Sequence, residues 1–164
     1  FCVLLLRCAR IGRSDMTQGP FKNDADSSTG FLLWQVHAIW QRQVTAALRP
    51  HELTQVQFAL LASLLWLMQR EQDVTQVRLA RHAKLDVMMT SQVLRALQAR
   101  GLLERREHPT DTRAKVLGLT EAGIAKAMAA IPVVEQVDAQ FFNIVGEQKA
   151  LLNGFLNALI QKEN

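Results

Sequence analysis

Between Met88 and Arg95 the chain reads MMTSQVLR, a run of methyl, hydroxyl, carboxamide and guanidinium groups. These groups suit base edges: a glutamine pairs with adenine, an arginine with guanine or a phosphate, and Met or Thr methyls meet the methyl of thymine. Met88, Met89, Thr90, Ser91, Gln92 and Arg95 therefore form a candidate base-contact set. Core packing of Met88 or Met89 is the competing reading, as is helix capping or phosphate binding for Thr90 and Ser91. Just downstream, ERREHPTDTRAK (104–115) places Arg105, Arg106, Arg113 and Lys115 around Asp111. An exposed surface ion pair, worth less than about 1 kcal/mol, is the plain reading of Asp111 with Arg113.

Charge distribution strengthens the polyanion reading. From Thr75 to Lys115 there are nine bases and four acids, a net +5 in 41 residues, so the rest of the +4 chain sums to −1. A basic segment on a near-neutral background is the electrostatic footprint of a nucleic-acid binder. Thr75 and Gln76 open a helix within this segment and offer a backbone amide and a side chain to a phosphate. Catalytic constellations are missing: the sequence has no Gly-rich phosphate loop, no Ser-His-Asp or Cys-His set, and no length left for a catalytic domain. The chain is expected not to be an enzyme and to need no cofactor. Its four histidines (His37, His51, His82, His108) show no metal-ligand spacing, so no metal site is expected.

These residues need a scaffold, and the spacing of apolar residues supplies one. With 164 residues, 49% apolar and 21% charged, the chain has the make-up of a helix-rich globular protein. Leu32, Leu33, Val36, Ile39, Trp40, Val44, Ala47 and Leu48 recur at helical spacing until Pro50. LTQVQFALLASLLWLMQ (53–69) is apolar nearly all round, with Thr54 as its N-cap, and predicts a buried central helix. A short helix from about Thr75 turns Leu79, Ala80 and Ala83 inward. Asp86 caps the next, which turns Val93, Leu94 and Leu97 inward and stops at Gly101. Two short helices so closely joined predict a helix-turn-helix, the second helix being the reader. LLERREH and AKVLGL, separated by a Pro-Thr-Asp-Thr turn, then predict a β-hairpin wing.

After the wing, Thr120 and Glu121 restart a helix in which Pro132 is expected to cause a kink or a break. The last segment is again amphipathic through Leu151, Leu152, Phe155, Leu156, Leu159 and Ile160. Terminal helices this apolar need a partner surface, and a second copy related by a two-fold covers them most simply; an intramolecular bundle is the alternative. The expected fold is mainly α with a small β-hairpin (α+β): a winged helix-turn-helix over residues 51–123, flanked by dimerisation helices over 31–50 and 124–164. Residues 1–30 are expected to be a flexible leader, with Met16 the natural start and residues 1–15 not native. Both cysteines, Cys2 and Cys8, lie in that leader, so the remainder has no thiol chemistry. A cytoplasmic setting is consistent with that, and no apolar run reaches the length of a membrane span.

In their order and spacing Leu79-Ala80, Asp86, Thr90-Ser91, Leu94, Leu97, Gly101-Leu102, Arg105, the HPTDTR turn (108–113) and LTEAG (119–123) resemble the MarR family of bacterial transcriptional regulators over about residues 31–162. The resemblance implies a winged helix-turn-helix homodimer that binds palindromic operator DNA, most simply as a repressor, and often releases it when a small phenolic or amphipathic ligand binds. It further implies that Arg113 reaches into a minor groove while Asp111 holds its guanidinium; a narrow minor groove concentrates the negative potential that favours such an arginine. Arg105, Arg106 and Lys115 neutralise backbone phosphates more generically. The family's peroxide-sensing branch needs a cysteine in the first helix, where this chain has none. Trp34, His37, Trp40 and Trp66 are the candidate lining of an effector cavity between the dimerisation helices and the winged domain, with plain core packing as the alternative. The other reading of the whole is a winged-helix protein-interaction or anti-repressor module without operator binding; Arg95, Arg105, Arg106 and Arg113 speak against it.

Overall fold

The computed structural model describes residues 24–110 and 114–162. The expectations for residues 1–15, for Cys2 and Cys8, and for Asp111 and Arg113 lie outside the described residues. Packing divides the chain into two units, Phe1–Ile39 and Trp40–Asn164. Helix α1 spans Thr29–Leu48, α2 Gln55–Met68, α3 Gln76–Ala83 and α4 Val87–Ala99; strands β1 (Leu103–Glu107) and β2 (Lys115–Leu119) follow, then α5 (Glu121–Phe141) and α6 (Lys149–Gln161). Helix α1 starts two residues before the expected Phe31. Ahead of it, Asp24 O accepts from the amides of Ser27 and Ser28, both at 3.0 Å, and closes a 3-10 turn over Ala25–Ser27.

Local chemistry sets where the four following helices begin. Thr54 and Gln57 form a reciprocal capping box, with Gln57 N donating to Thr54 Oγ1 (3.2 Å) and Thr54 N to Gln57 Oε1 (3.1 Å). Thr75 Oγ1 accepts from Arg78 N, Asp86 Oδ1 from Met89 N and Thr120 Oγ1 from Gly123 N. Each satisfies an amide that a helix start leaves without an intrahelical partner. The end of α4 is equally defined: Gly101 is left-handed (φ 71), its amide donates to Gln98 O, and Leu102 N donates to Leu97 O. This is a Schellman ending, and glycine takes that backbone conformation without the Cβ clash other residues meet.

Helix α2 is the centre of the second unit. Leu60, Leu61, Leu64 and Leu67 are fully buried and pack with Leu48, Leu79, Leu94, Leu97, Leu117 and Ala127 in one continuous core. Helices α3, α4 and α5 and strand β2 all touch α2. Burial of each leucine contributes about 1.5–3 kcal/mol.

The wing is a two-stranded antiparallel sheet in which Leu103 faces Leu119 and Arg105 faces Leu117. A single bridge, Thr75 to Val116, adds the rudiment of a third strand, with Leu117 N donating to Val74 O at 2.8 Å. So short a pairing has no periodicity by which to read it, yet it ties the start of α3 to the wing. Of the kink or break expected at Pro132, the break is absent, since α5 is continuous through it. The ring lies on the exposed side, and Met128, whose carbonyl loses its donor to Pro132, is itself 63% exposed. The break comes instead at Phe142–Gln148, where Gly146 leaves helical geometry (φ 55, ψ −132).

Helix α5 is seated on the wing root through Gly123. A Cβ built there would stand 1.9 Å from Leu102 O, a backbone atom. Thr120 Oγ1 also donates to Gly101 O at 2.7 Å. Gly123→Ala is expected to lower unfolding stability by about 3 kcal/mol in urea denaturation, since the clash is with backbone that cannot rotate away; a loss below about 1 kcal/mol would mean that the junction yields.

Candidate nucleic-acid interface

Three residues, Lys84 to Asp86, join α3 to α4. Lys84 takes the left-handed conformation (φ 52), and Leu85 N returns to Ala80 O at 3.0 Å, so the chain reverses within one tight turn. Gln76 Nε2 donates to Val87 O at 3.3 Å and stitches the two helix starts together. Helix α4 then buries one side and presents the other. Thr90, Leu94 and Leu97 are fully buried, whereas Met88 is 76% exposed and Gln92 and Arg95 are exposed. Positions 88, 92 and 95 follow the i, i+4, i+7 spacing of one helix face. Met89 is also exposed and Ser91 is half-buried, so neither methionine is core.

Thr90 points the other way from its neighbours in the expected contact set. Its hydroxyl donates to Asp86 O at 2.7 Å and its side chain has no exposure. The MTSQ stretch carries no signal that distinguishes Thr90 from Ser91; the phase comes from Leu94 and Leu97, which lie four and seven residues on.

The basic residues fall into three environments. Arg106 and Lys115 are exposed and pair with Glu104 (3.4 Å) and Glu107 on the same hairpin. Such exposed pairs are worth under about 1 kcal/mol and exchange readily for another anion. Arg95 is exposed on α4. Arg105 differs: it is half-buried, and its Nε and Nη2 are enclosed with no hydrogen-bond partner among the described residues. It lines a cleft of about 510 Å³ with Thr75, Gln76, Val77, Lys115 and Leu117, where the start of α3 meets the wing. Val77 has no polar handle and was not in the expected set.

The residues expected around an effector cavity divide between the two units. In the first unit Trp34 is exposed and stacks on Phe31 (5.8 Å between centroids, 12°), and His37 is exposed. In the second, Trp40 Nε1 donates to Asp138 Oδ1 at 2.6 Å. Trp66 stacks with His82 (4.8 Å) and lies under Arg70, whose Cζ is 3.9 Å from the ring centroid. Trp66 also borders a groove of about 350 Å³ between α2 and α5 that includes Glu135 and Asp138. Those two acids were not singled out from the sequence, although with Ile131 and Val134 they occupy one face of α5.

The sequence profile of the ArnR1-like winged-helix domain matches residues 50–137. The HTH-type transcriptional regulator YdcH of Bacillus subtilis is 41% identical over 138 residues, 84% of this chain and 93% of the relative. The chain belongs to the MarR family. A second relative, the HTH-type transcriptional repressor Rv2887 of Mycobacterium tuberculosis, is 33% identical over 115 residues, 70% of this chain and 80% of that one. Among solved structures, the S. aureus MepR-DNA complex has a TM-score of 0.75 at 19% identity, covering 86% of this chain and 100% of that one. A MarR-family transcriptional regulator from Rhodococcus sp. RHA1 has a TM-score of 0.68 at 24% identity, covering 85% and 94%. This MarR-family protein is a DNA-binding transcriptional regulator and not an enzyme. Among its described residues no helix is long and apolar enough to cross a membrane.

The inward turn of Thr90 separates a stability role from a contact role. Thr90→Val, which keeps the shape and removes the hydroxyl, is expected to cost about 1 kcal/mol of unfolding stability and to leave duplex affinity unchanged in a fluorescence-anisotropy titration; a loss of affinity without loss of stability would put Thr90 in the interface.

Proposed function

We propose that two copies of this chain, joined through the apolar faces of α1 and α6, bind an inverted-repeat operator and repress transcription from it. The observation that carries the reading is the solvent-facing side of α4, where Met88, Ser91, Gln92 and Arg95 are presented together by a helix whose other side is locked into the core. A helix in the major groove reads bases through just such a face near its N-terminus. Arg105, Arg106 and Lys115 on the wing, with Thr75 and Gln76 at the start of α3, engage phosphates on either side. The enclosed guanidinium of Arg105 gains most from an oxyanion, since its Nε and Nη2 have no acceptor among the described residues. Arg113 enters the adjacent minor groove, oriented by Asp111.

Pairing is supported by the faces left uncovered. No residue of α6 is buried, and Leu151, Phe155 and Leu159 line one side of it with 58–62% exposure. On α1, Phe31, Leu33, Trp34 and Val36 are exposed as well. Apolar surface of this extent marks an association site. A two-fold pair places its reading helices about 34 Å apart and so calls for half-sites about 10 base pairs apart. A repressor among the relatives supports the sign of regulation. Release by a small ligand follows the pattern the family resemblance implies, with Trp40 and Trp66 nearest to a groove able to hold one.

A gel shift on the duplex upstream of its own gene, titrated with salt, tests this reading; absence of any shift at low salt overturns it. Arg113→Ala is expected to weaken binding to every duplex and to lower the slope of log affinity against log salt by about one charge per subunit. An unchanged slope would remove Arg113 from the interface. Gln92→Ala is expected to cost about 1–3 kcal/mol on the operator and little on random duplex, as read from competition binding.

A further inference from the structure

Building on the reading that a small molecule controls this regulator, we infer that the groove between α2 and α5 takes an amphipathic organic monocation. Phe58, Ala62, Leu65 and Trp66 of α2 form one wall, and Ile131 and Val134 of α5 form the other. Their spacing, 58-62-65-66 against 131-134-135-138, is that of two facing helix surfaces. The volume of about 350 Å³ suits a molecule with one aromatic ring and a short chain.

Polarity in this groove is one-sided. Besides Gln69, its polar lining is Glu135 and Asp138, one turn apart on α5. Neither carboxylate is in an ion pair among the described residues. Asp138 Oδ1 accepts from the indole of Trp40 at 2.6 Å, which holds the carboxylate in place and leaves its second oxygen to a ligand. The bases nearby, Arg70 and His82, lie on the Trp66 ring and do not line the groove. An anionic ligand would meet two like charges, whereas a cation finds both an apolar wall and counter-charge. Of the phenolic or amphipathic effectors that the family resemblance implies, this lining favours an amphipathic one that carries a positive charge.

The test titrates 4-phenylbutyltrimethylammonium into the full chain by calorimetry, with 5-phenylpentanoate as a probe of similar size and opposite charge. The cation is expected to bind at least about tenfold more tightly than the anion, and Glu135→Gln and Asp138→Asn each to weaken it about tenfold. The double variant is expected to lose the preference. Equal or stronger binding of the anion, no binding of the cation, or unchanged cation affinity in the variants overturns the assignment. Thermal melts verify that the variants fold; if Asp138→Asn does not, the exposed Glu135 carries the comparison. The duplex gel shift without probe stands apart. A chain that shifts duplex and ignores the cation refutes the groove assignment alone. Cation binding that leaves the duplex complex intact keeps the assignment and removes ligand-controlled release.

Discussion

Everything in the second unit hangs on burying a helix that is apolar on almost every side. The chain packs α3, α4, α5 and a strand of the wing against helix α2 and leaves the side of Phe58, Ala62, Leu65 and Trp66 to a groove. That requirement fixes more than stability. Leu64 and Leu67 sit in the same core as Leu79, Leu94 and Leu97, so the two helices of the helix-turn-helix are held in one rotational setting about their own axes. The solvent face of α4 is therefore the complement of its packed face. Specific chemistry on the surface is a by-product of which residues the core has claimed.

The division between core and surface also explains how much was legible in the sequence. Helix starts were readable because a cap is a local contract: Thr54, Thr75, Asp86 and Thr120 each meet the amide three residues ahead, with no help from the rest of the fold. Gly101 was readable for the same reason. Whether Pro132 would break α5 was not readable, because a missing backbone donor matters according to whether water reaches the freed carbonyl, and that depends on which side of α5 is covered. The single bridge from Thr75 to Val116 is invisible to periodicity, since one paired residue has no period. Thr90 required knowing the helix phase to better than one residue.

Site residues divide along the same line. That Gln92 and Arg95 would face solvent could be expected from spacing, because their neighbours Leu94 and Leu97 announce the opposite, buried face. The acids of the α2–α5 groove could not, because Glu135 and Asp138 look like ordinary solvated positions until Trp40, nearly a hundred residues earlier, is seen to reach one of them. Enclosure of Arg105 is likewise a property of assembly: alternation along β1 says which way it points, but only the packed start of α3 shows that its guanidinium is walled in.

The contact between Gly123 and the carbonyl of Leu102 has a mechanical meaning. Two backbones pressed together without an intervening side chain leave no slack, and Leu102 is also the residue that closes the end of α4 and leads into β1. A tilt of the first turn of α5 must therefore be transmitted to the foot of α4 and to the base of the hairpin at once, as through a keyed shaft rather than a cushion. Any stimulus that shifts α5 acts on both together.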